Sequence, residues 1–293
     1  MANLLAQKAV LAHVAVSSWS ARRHDRAVTD EVNRSRGAAA DAGRYNKLLI
    51  DKSALEKLNS ISGEARQIHY QMTQPWLDNG SRILPTALYM DYQKKLKKLE
   101  HTFNEEADEF ARVYPRHVDA ARRRLNGMFN EADYPAASNI RDRFAFELKI
   151  LPCPDKDDFR CDLAAEHAAD IRADVEARMK KALDDAMGDV FTRINDTVGH
   201  MAARLKEYKP AAGTRKKAEG IFRDSLVQNV RDLVELLPAF NLTNDPRLDK
   251  ITDRIKRDLC PTDAQILRDN KKARESVASA ADAILAQVSA FAA

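Results

Sequence analysis

Between Ala164 and Tyr208 apolar side chains recur at steps of three or four residues: Ile171, Val175, Met179, Leu183, Met187, Val190, Ile194, Val198, Met201, Leu205, Tyr208. No proline interrupts the series. That spacing puts every member on one face of an α-helix, and at 1.5 Å per residue the helix is roughly 65 Å long. A stripe sustained over several heptads is of coiled-coil quality. A helix of this length cannot bury its stripe against a short neighbour. Its partner must be the long helices of residues 86–125, the C-terminal helices, or a second copy of the chain.

The rest of the chain reads largely the same way. Of 293 residues, 44% are hydrophobic and 31% charged, with only 9 Gly and 10 Pro, which is too apolar and too regular for a disordered chain. Helices are expected from Val28 to about Ala40, from Ser53 (as N-cap) to about Met72, and from Thr86 to Tyr114. Pro115 either kinks that last helix or starts a piece ending near Leu125, before Asn126-Gly127. Further helices are expected over Thr214–Leu237, Pro246–Leu259 and Thr262 to about Phe291.

Three segments depart from this background. Val10, Ala12, Val14 and Val16 alternate, which suggests a strand over about 10–19, with a helix as the competing reading. Phe144, Phe146, Leu148 and Ile150 alternate in a second strand, about 143–151. After the turn-rich Pro152–Asp158, Phe159–Leu163 returns as a third, about 158–163. A hairpin alone is marginal, so the three support one another as a small antiparallel sheet. The fold class is therefore mainly α: an elongated helical bundle or coiled-coil stalk with a small antiparallel β element. A helical head over residues 1–163 would precede the long helix and C-terminal helices of 164–293, with one continuous domain as the alternative.

Chemistry is sparse. The seven histidines are scattered, no two three to five residues apart. Cys153, Cys161 and Cys260 are too few for a disulfide framework. Cys153 and Cys161 can face each other across the expected hairpin, though two ordinary thiols in a reducing cytoplasm are the better reading. No GxSxG, Walker loop, GxGxxG or HExxH occurs. No catalytic, cofactor or metal residues are assigned, and the chain is expected not to be an enzyme. The opening residues do not read as a signal peptide, and no apolar run suffices to span a membrane. The expected compartment is the cytoplasm of a bacterial host cell.

The most distinctive stretch runs from Thr73 to Pro85, with Trp76, Asp78, Gly80 and Arg82 between two helices. It is either a packed corner, with Asp78 pairing Arg82, or a binding loop. Basic clusters stand at Arg22-Arg23-His24-Asp25-Arg26, Lys94-Lys95-Leu96-Lys97-Lys98, Arg122-Arg123-Arg124 and Arg215-Lys216-Lys217. Net charge is only +4, so these clusters read first as a charge-banded surface and second as phosphate contacts.

Several strings together resemble a known family: Ser18-Trp19-Ser20-Ala21-Arg22-Arg23-His24-Asp25, Gly43-Arg44-Tyr45, Thr73 to Pro85, Asp133-Tyr134-Pro135 and Asp158-Phe159-Arg160. The chain is similar in these, over about residues 8–210, to an uncharacterised family of helical proteins from tailed phages, prophages and proteobacterial plasmids. Its members tend to be encoded beside an AAA+ ATPase and a protein with a von Willebrand-type domain. The resemblance implies an accessory or adaptor subunit of an ATP-driven machine and transfers no catalytic residue.

The leading expectation is thus a non-enzymatic interaction or assembly protein of a phage or mobile element. It would form a homo-oligomer or bind partner helices through the 164–208 stripe, and dock partners at Trp19, Trp76, Asp78, Arg82 and Phe159. The alternative is a nucleic-acid-binding accessory protein in recombination or replication, using Lys94, Lys97, Lys98, Arg122, Arg123 and Arg124.

Overall fold

The structure is a computed structural model and describes residues 2–77, 80–155, 165–211 and 218–292. In chain order its elements are α1 (Ala2–Lys8), β1 (Ala9–Ser17), β2 (Arg22–His24), α2 (Arg26–Ser35), β3 (Asn46–Leu48), α3 (Glu56–Met72), β4 (Gln74–Pro75) and β5 (Ser81–Pro85). There follow α4 (Tyr89–Leu125), β6 (Ala145–Pro152), α5 (Ala165–Glu207), α6 (Ser225–Phe240), α7 (Pro246–Asp258), α8 (Ala264–Asp269) and α9 (Lys271–Ala292). The protein is mainly α-helical with a small antiparallel sheet.

The chain folds into two compact units, each assembled from separate stretches of sequence. Unit 1 gathers Met1–Ala12, Met72–Met90 and Ile150–Ala293; unit 2 gathers His13–Gln71 and Asp91–Lys149. The boundary expected after residue 163 lies outside the described residues.

Unit 1 is built on α5. From Met179 through Leu183, Ala186, Val190, Ile194, Val198 and Met201 to Leu205, the stripe is buried to within 4%. Met179, Leu183 and Ala186 pack with Leu5 and Ile83. From Val190 onwards the cover is α9 and α6 of the same chain, so the C-terminal helices are the partner there. They contribute Val230, Val234, Leu237, Ile284 and Val288, and α7 adds Leu248 and Ile251 to the same core. Each such side chain contributes about 1.5–3 kcal/mol relative to exposure. The face expected to drive self-association is therefore used within the chain over most of its length. Ile171 and Val175, towards the helix N-terminus, are half-buried, as are Met187 and Tyr208.

The C-terminal helices are shorter than periodicity suggests. The helix expected from Thr214 begins only at Ser225. Before it, Lys209 and Glu219 form a β-bridge through two backbone hydrogen bonds of 3.0 Å. The helix expected over Thr262–Phe291 breaks at Asn270, whose extended backbone ends α8. Its side-chain oxygen then accepts from the Ala273 amide at 3.1 Å and so starts α9.

The four-stranded sheet has the order β4-β5-β1-β6. β1 and β6 are the two strands foreseen over 10–19 and 143–151, and they are neighbours; 158–163 lies outside the described residues. The other two strands come from Thr73–Pro85, which reads as a loop in the sequence. They form an antiparallel hairpin with Gln74 opposite Ile83 and Pro75 opposite Arg82. Pro75 lacks an amide to donate, and it sits on the edge strand, where that is tolerated.

Unit 2 is organised by α4, which buries Tyr92, Leu96, Phe103, Ala107, Phe110 and Tyr114 at helical spacing. The helix runs through Pro115 to Leu125 without ending there. An aromatic ladder lies along its buried face: Phe146 on Phe103 (5.8 Å between ring centres), Phe144 on Phe110 (5.2 Å) and Trp19 on Tyr114 (5.7 Å).

Gly220 follows the Lys209–Glu219 bridge with φ at +63°, and a Cβ placed there would lie 2.6 Å from the Glu207 carbonyl oxygen. Gly220→Ala should therefore destabilise unit 1 by about 1–3 kcal/mol, read as a lower urea midpoint. Gly63→Ala, in α3 with open space around it, should not.

Candidate nucleic-acid interface

At one end of unit 2, β2 and β3 form a two-stranded antiparallel ribbon, with Arg22 opposite Leu48, Arg23 opposite Lys47 and His24 opposite Asn46. The chain then turns into α2, capped by Asp25, whose carboxylate accepts from the Val28 amide at 3.2 Å. Thr29 donates to the Asp25 carbonyl at 2.7 Å and accepts from the Tyr45 amide at 3.0 Å, which ties the helix to the strand that returns.

Lys47 holds this assembly together. Its side chain is 6% exposed, and its ammonium meets three acceptors: Asp133 at 2.8 Å, Asp25 at 3.0 Å and the Met128 carbonyl at 3.0 Å. An ammonium has three donors, so all are used. Burial works against the charge, but the hydrogen bonds to Asp133 and Asp25 outweigh it and leave the Lys47 pKa raised. The same contact with Lys47, helped by the Val28 amide, holds the Asp25 carboxyl below its ordinary range.

The last turn of α4 docks on the ribbon. Arg124 donates to the Leu48 carbonyl at 2.7 Å, directly across from Arg22. Arg122 lies over the Phe129 ring at 4.5 Å and 3.5 Å from Glu131. Phe129 stacks on Tyr134, whose hydroxyl donates to the Leu49 carbonyl at 2.7 Å. Arg23 shares Asp133 with Lys47, at 3.5 Å. Two basic clusters about a hundred residues apart in sequence are thus brought to one place. Arg22, Arg26 and Arg123 are exposed there and make no ion pair among the described residues. Three arginines also suit the C-terminal dipole of α4, a structural benefit of a few tenths of a kcal/mol.

The lysines do not join this surface. Lys94, Lys97 and Lys98 lie on α4 at least twenty-four residues before Arg122, roughly 36 Å along the axis. Lys97 pairs with Glu100 at 2.7 Å and neighbouring Lys95 with Asp91 at 2.8 Å, as a charge-banded surface would.

The docking residues expected from sequence are divided between the two units. Trp19 belongs to unit 2, half-buried against Phe110 and Tyr114. Trp76 belongs to unit 1, half-buried against a core that includes Leu5, Ile83, Met179 and Leu183. Arg82 secures the β4–β5 hairpin by donating to the Thr73 hydroxyl at 2.8 Å and to its carbonyl at 3.2 Å. Arg193 of α5 donates to that carbonyl at 2.6 Å. Gln74, wholly buried, donates to the Ala186 carbonyl at 3.0 Å. The described part of this segment is packed through Thr73, Gln74 and Arg82. Asp78 and Phe159 lie outside the described residues, as do Cys161 and Arg215–Lys217.

Other reactive groups are subdued. Burial pushes the Cys153 thiol up to about 11, so it stays protonated at neutral pH. Buried His69 shares a 2.8 Å hydrogen bond with Tyr92, whose hydroxyl is raised by burial. Among the described residues no three His, Cys, Asp or Glu side chains are grouped as a metal site would need.

Sequence reasoning missed Lys47, because one lysine between Asn46 and Leu48 carries no signal of its buried partners. Lys47→Met should destabilise unit 2 by about 3 kcal/mol, since it leaves Asp25 and Asp133 desolvated without their shared cation. Asp25's contribution is present above its ordinary pKa of 3.8 and lost as pH falls below it. The gap in urea midpoint between wild type and variant should therefore shrink in that acid window. A gap independent of pH would show that the pair does not act this way. No protein-family model matches the chain, and neither the curated proteins nor the solved structures contain a match to it.

Proposed function

We propose that the chain is a non-enzymatic interaction protein whose ligand is nucleic acid, held at the arginine-rich end of unit 2. The observation that carries this reading is the convergence of Arg22 and Arg23 with Arg122, Arg123 and Arg124 around the β2–β3 ribbon. Arg22, Arg26 and Arg123 supply free guanidinium groups, whose planar forks match phosphate oxygens in pairs. Lys47, Asp25 and Asp133 hold the ribbon rigid beneath them.

The contact would be with the backbone and largely independent of sequence. Phe129 and Tyr134 stack on each other and Arg122 covers Phe129, so these rings are not presented as a platform for bases. Self-association through the 164–208 stripe has no part in the reading, because Met179–Leu205 is covered within unit 1. The resemblance to phage and plasmid proteins encoded beside an AAA+ ATPase supports a place for this binding in an ATP-driven machine of a mobile element, in the host cytoplasm.

Fluorescence anisotropy with a labelled duplex, repeated over a salt series, tests the proposal. Affinity should fall linearly with the logarithm of salt concentration. Arg22→Glu combined with Arg123→Glu should weaken it by roughly tenfold or more and lower the slope by about 2. Lys94→Glu with Lys98→Glu should change it little. Binding that ignores salt, or that the two double variants weaken equally, would remove the assignment.

A further inference from the structure

Unit 1 holds a basic pocket that the nucleic-acid reading does not use. It opens between the end of α5 and the start of α9, with a volume of about 570 Å³. Its lining includes Tyr208, Lys209, Arg268, Lys271 and Arg274, against one carboxylate among the described residues, Asp269. We propose that this pocket binds a phosphate group carried on a small polar molecule.

Arg274 is the centre of the argument. It is only 5% exposed, and it makes no ion pair among the described residues. Its Nη1 donates to the Leu267 carbonyl at 2.9 Å and, more weakly, to that of Arg268 at 3.4 Å. Its guanidinium lies 4.9 Å from the centre of the Tyr208 ring. A buried charge is costly unless an opposite charge and a full set of hydrogen bonds compensate it. The carbonyls and the ring compensate in part and fix the plane of the group. Nε and Nη2 are neither hydrogen-bonded to described residues nor sealed from the surface, so they remain available to the pocket that Arg274 lines. A rigid guanidinium with donors to spare is suited to an anion that accepts two bonds at once, and phosphate is such an anion.

The rim adds charge. Arg268 pairs with Asp224 at 2.6 Å, Lys209 with Glu219 at 3.4 Å and Lys271 with Glu275 at 3.6 Å. These three carboxylates are largely in solvent, so the pairs are weak and leave Lys209 and Lys271 free to turn inwards, while Arg268, held also by the Phe222 carbonyl and Gln265, adds its charge from a fixed place. Asp269 instead accepts from Gln265 at 2.8 Å. The volume lies within the ~300–1,000 Å³ typical of small-molecule sites and exceeds what inorganic phosphate fills. Tyr208 has Arg274 over its ring and Phe222 edge-on at 5.2 Å, so it does not offer itself to a nucleobase. A sugar phosphate fits this chemistry better than a nucleotide.

Isothermal titration calorimetry of the full chain, with inorganic phosphate and with ribose 5-phosphate at ionic strength matched by sodium chloride, decides the matter. Saturable one-to-one binding is expected, tighter for ribose 5-phosphate. Lys209→Gln combined with Lys271→Gln, both on exposed side chains, should weaken it by roughly tenfold or more. Arg274→Lys keeps the charge but loses the fork, and should abolish it. Arg22→Glu with Arg123→Glu, in unit 2, should leave it intact, which separates this site from the nucleic-acid surface. No saturable heat with either probe, or binding that the Lys209/Lys271 pair leaves unchanged, would overturn the proposal. The rim pair keeps the test valid even if the Arg274 variant does not fold.

Discussion

One ammonium group holds the end of unit 2 together. Lys47 is inside the protein, where a charge is tolerated only if every donor is answered, and it answers to the cap of α2, to the turn at Met128 and to Asp133. Asp25 precedes α2, whereas Met128 and Asp133 lie together in the turns after α4, and these two stretches share no continuous apolar stripe. A hydrophobic residue in place of Lys47 would fill the space without specifying which carboxylate goes where. The charge fixes the register of a two-strand ribbon otherwise too short to specify its own. Arg22, Arg23 and the arginine turn of α4 take their positions from that register.

Unit 1 is held by the opposite means. The α5 stripe is continuous and apolar and meets α9 and α6 from Val190 to Leu205 and the N-terminal pieces before that. Polar groups enter at the corner, where Arg82 and Arg193 both donate to the Thr73 carbonyl and Gln74 donates to the Ala186 carbonyl of α5. The pocket at Arg274 lies at the end of this core, where α8 gives way to α9.

Periodicity made the long elements legible. α4, α5 and α7 follow from apolar spacing, and β1 and β6 from alternation, because each is long enough for a pattern to repeat. The hairpin of β4 and β5 was not legible: a two-residue strand containing Pro75 has no period to read. Neither was β2–β3, whose three residues Arg22, Arg23 and His24 look like a surface cluster. The break at Asn270 was hidden because apolar spacing runs straight across it. At the candidate site the arginines were visible one cluster at a time. Their meeting depends on the 2.7 Å bond from Arg124 to the Leu48 carbonyl, a long-range contact that no local pattern encodes. Lys94, Lys97 and Lys98 looked equivalent to Arg122–Arg124 in sequence, and helix length separates them.

The two units are threaded through one another in sequence: the chain passes between them within β1, at the end of α3, near the start of α4 and within β6. This has a consequence for synthesis. Every residue of unit 2 has been made once Lys149 is added, whereas unit 1 has then contributed only Met1–Ala12 and Met72–Met90. Those early pieces, including Leu5 and Ile83, must wait with their apolar faces uncovered until α5 and the helices after it are translated. On the ribosome the arginine surface can form first, and the core of unit 1 closes last.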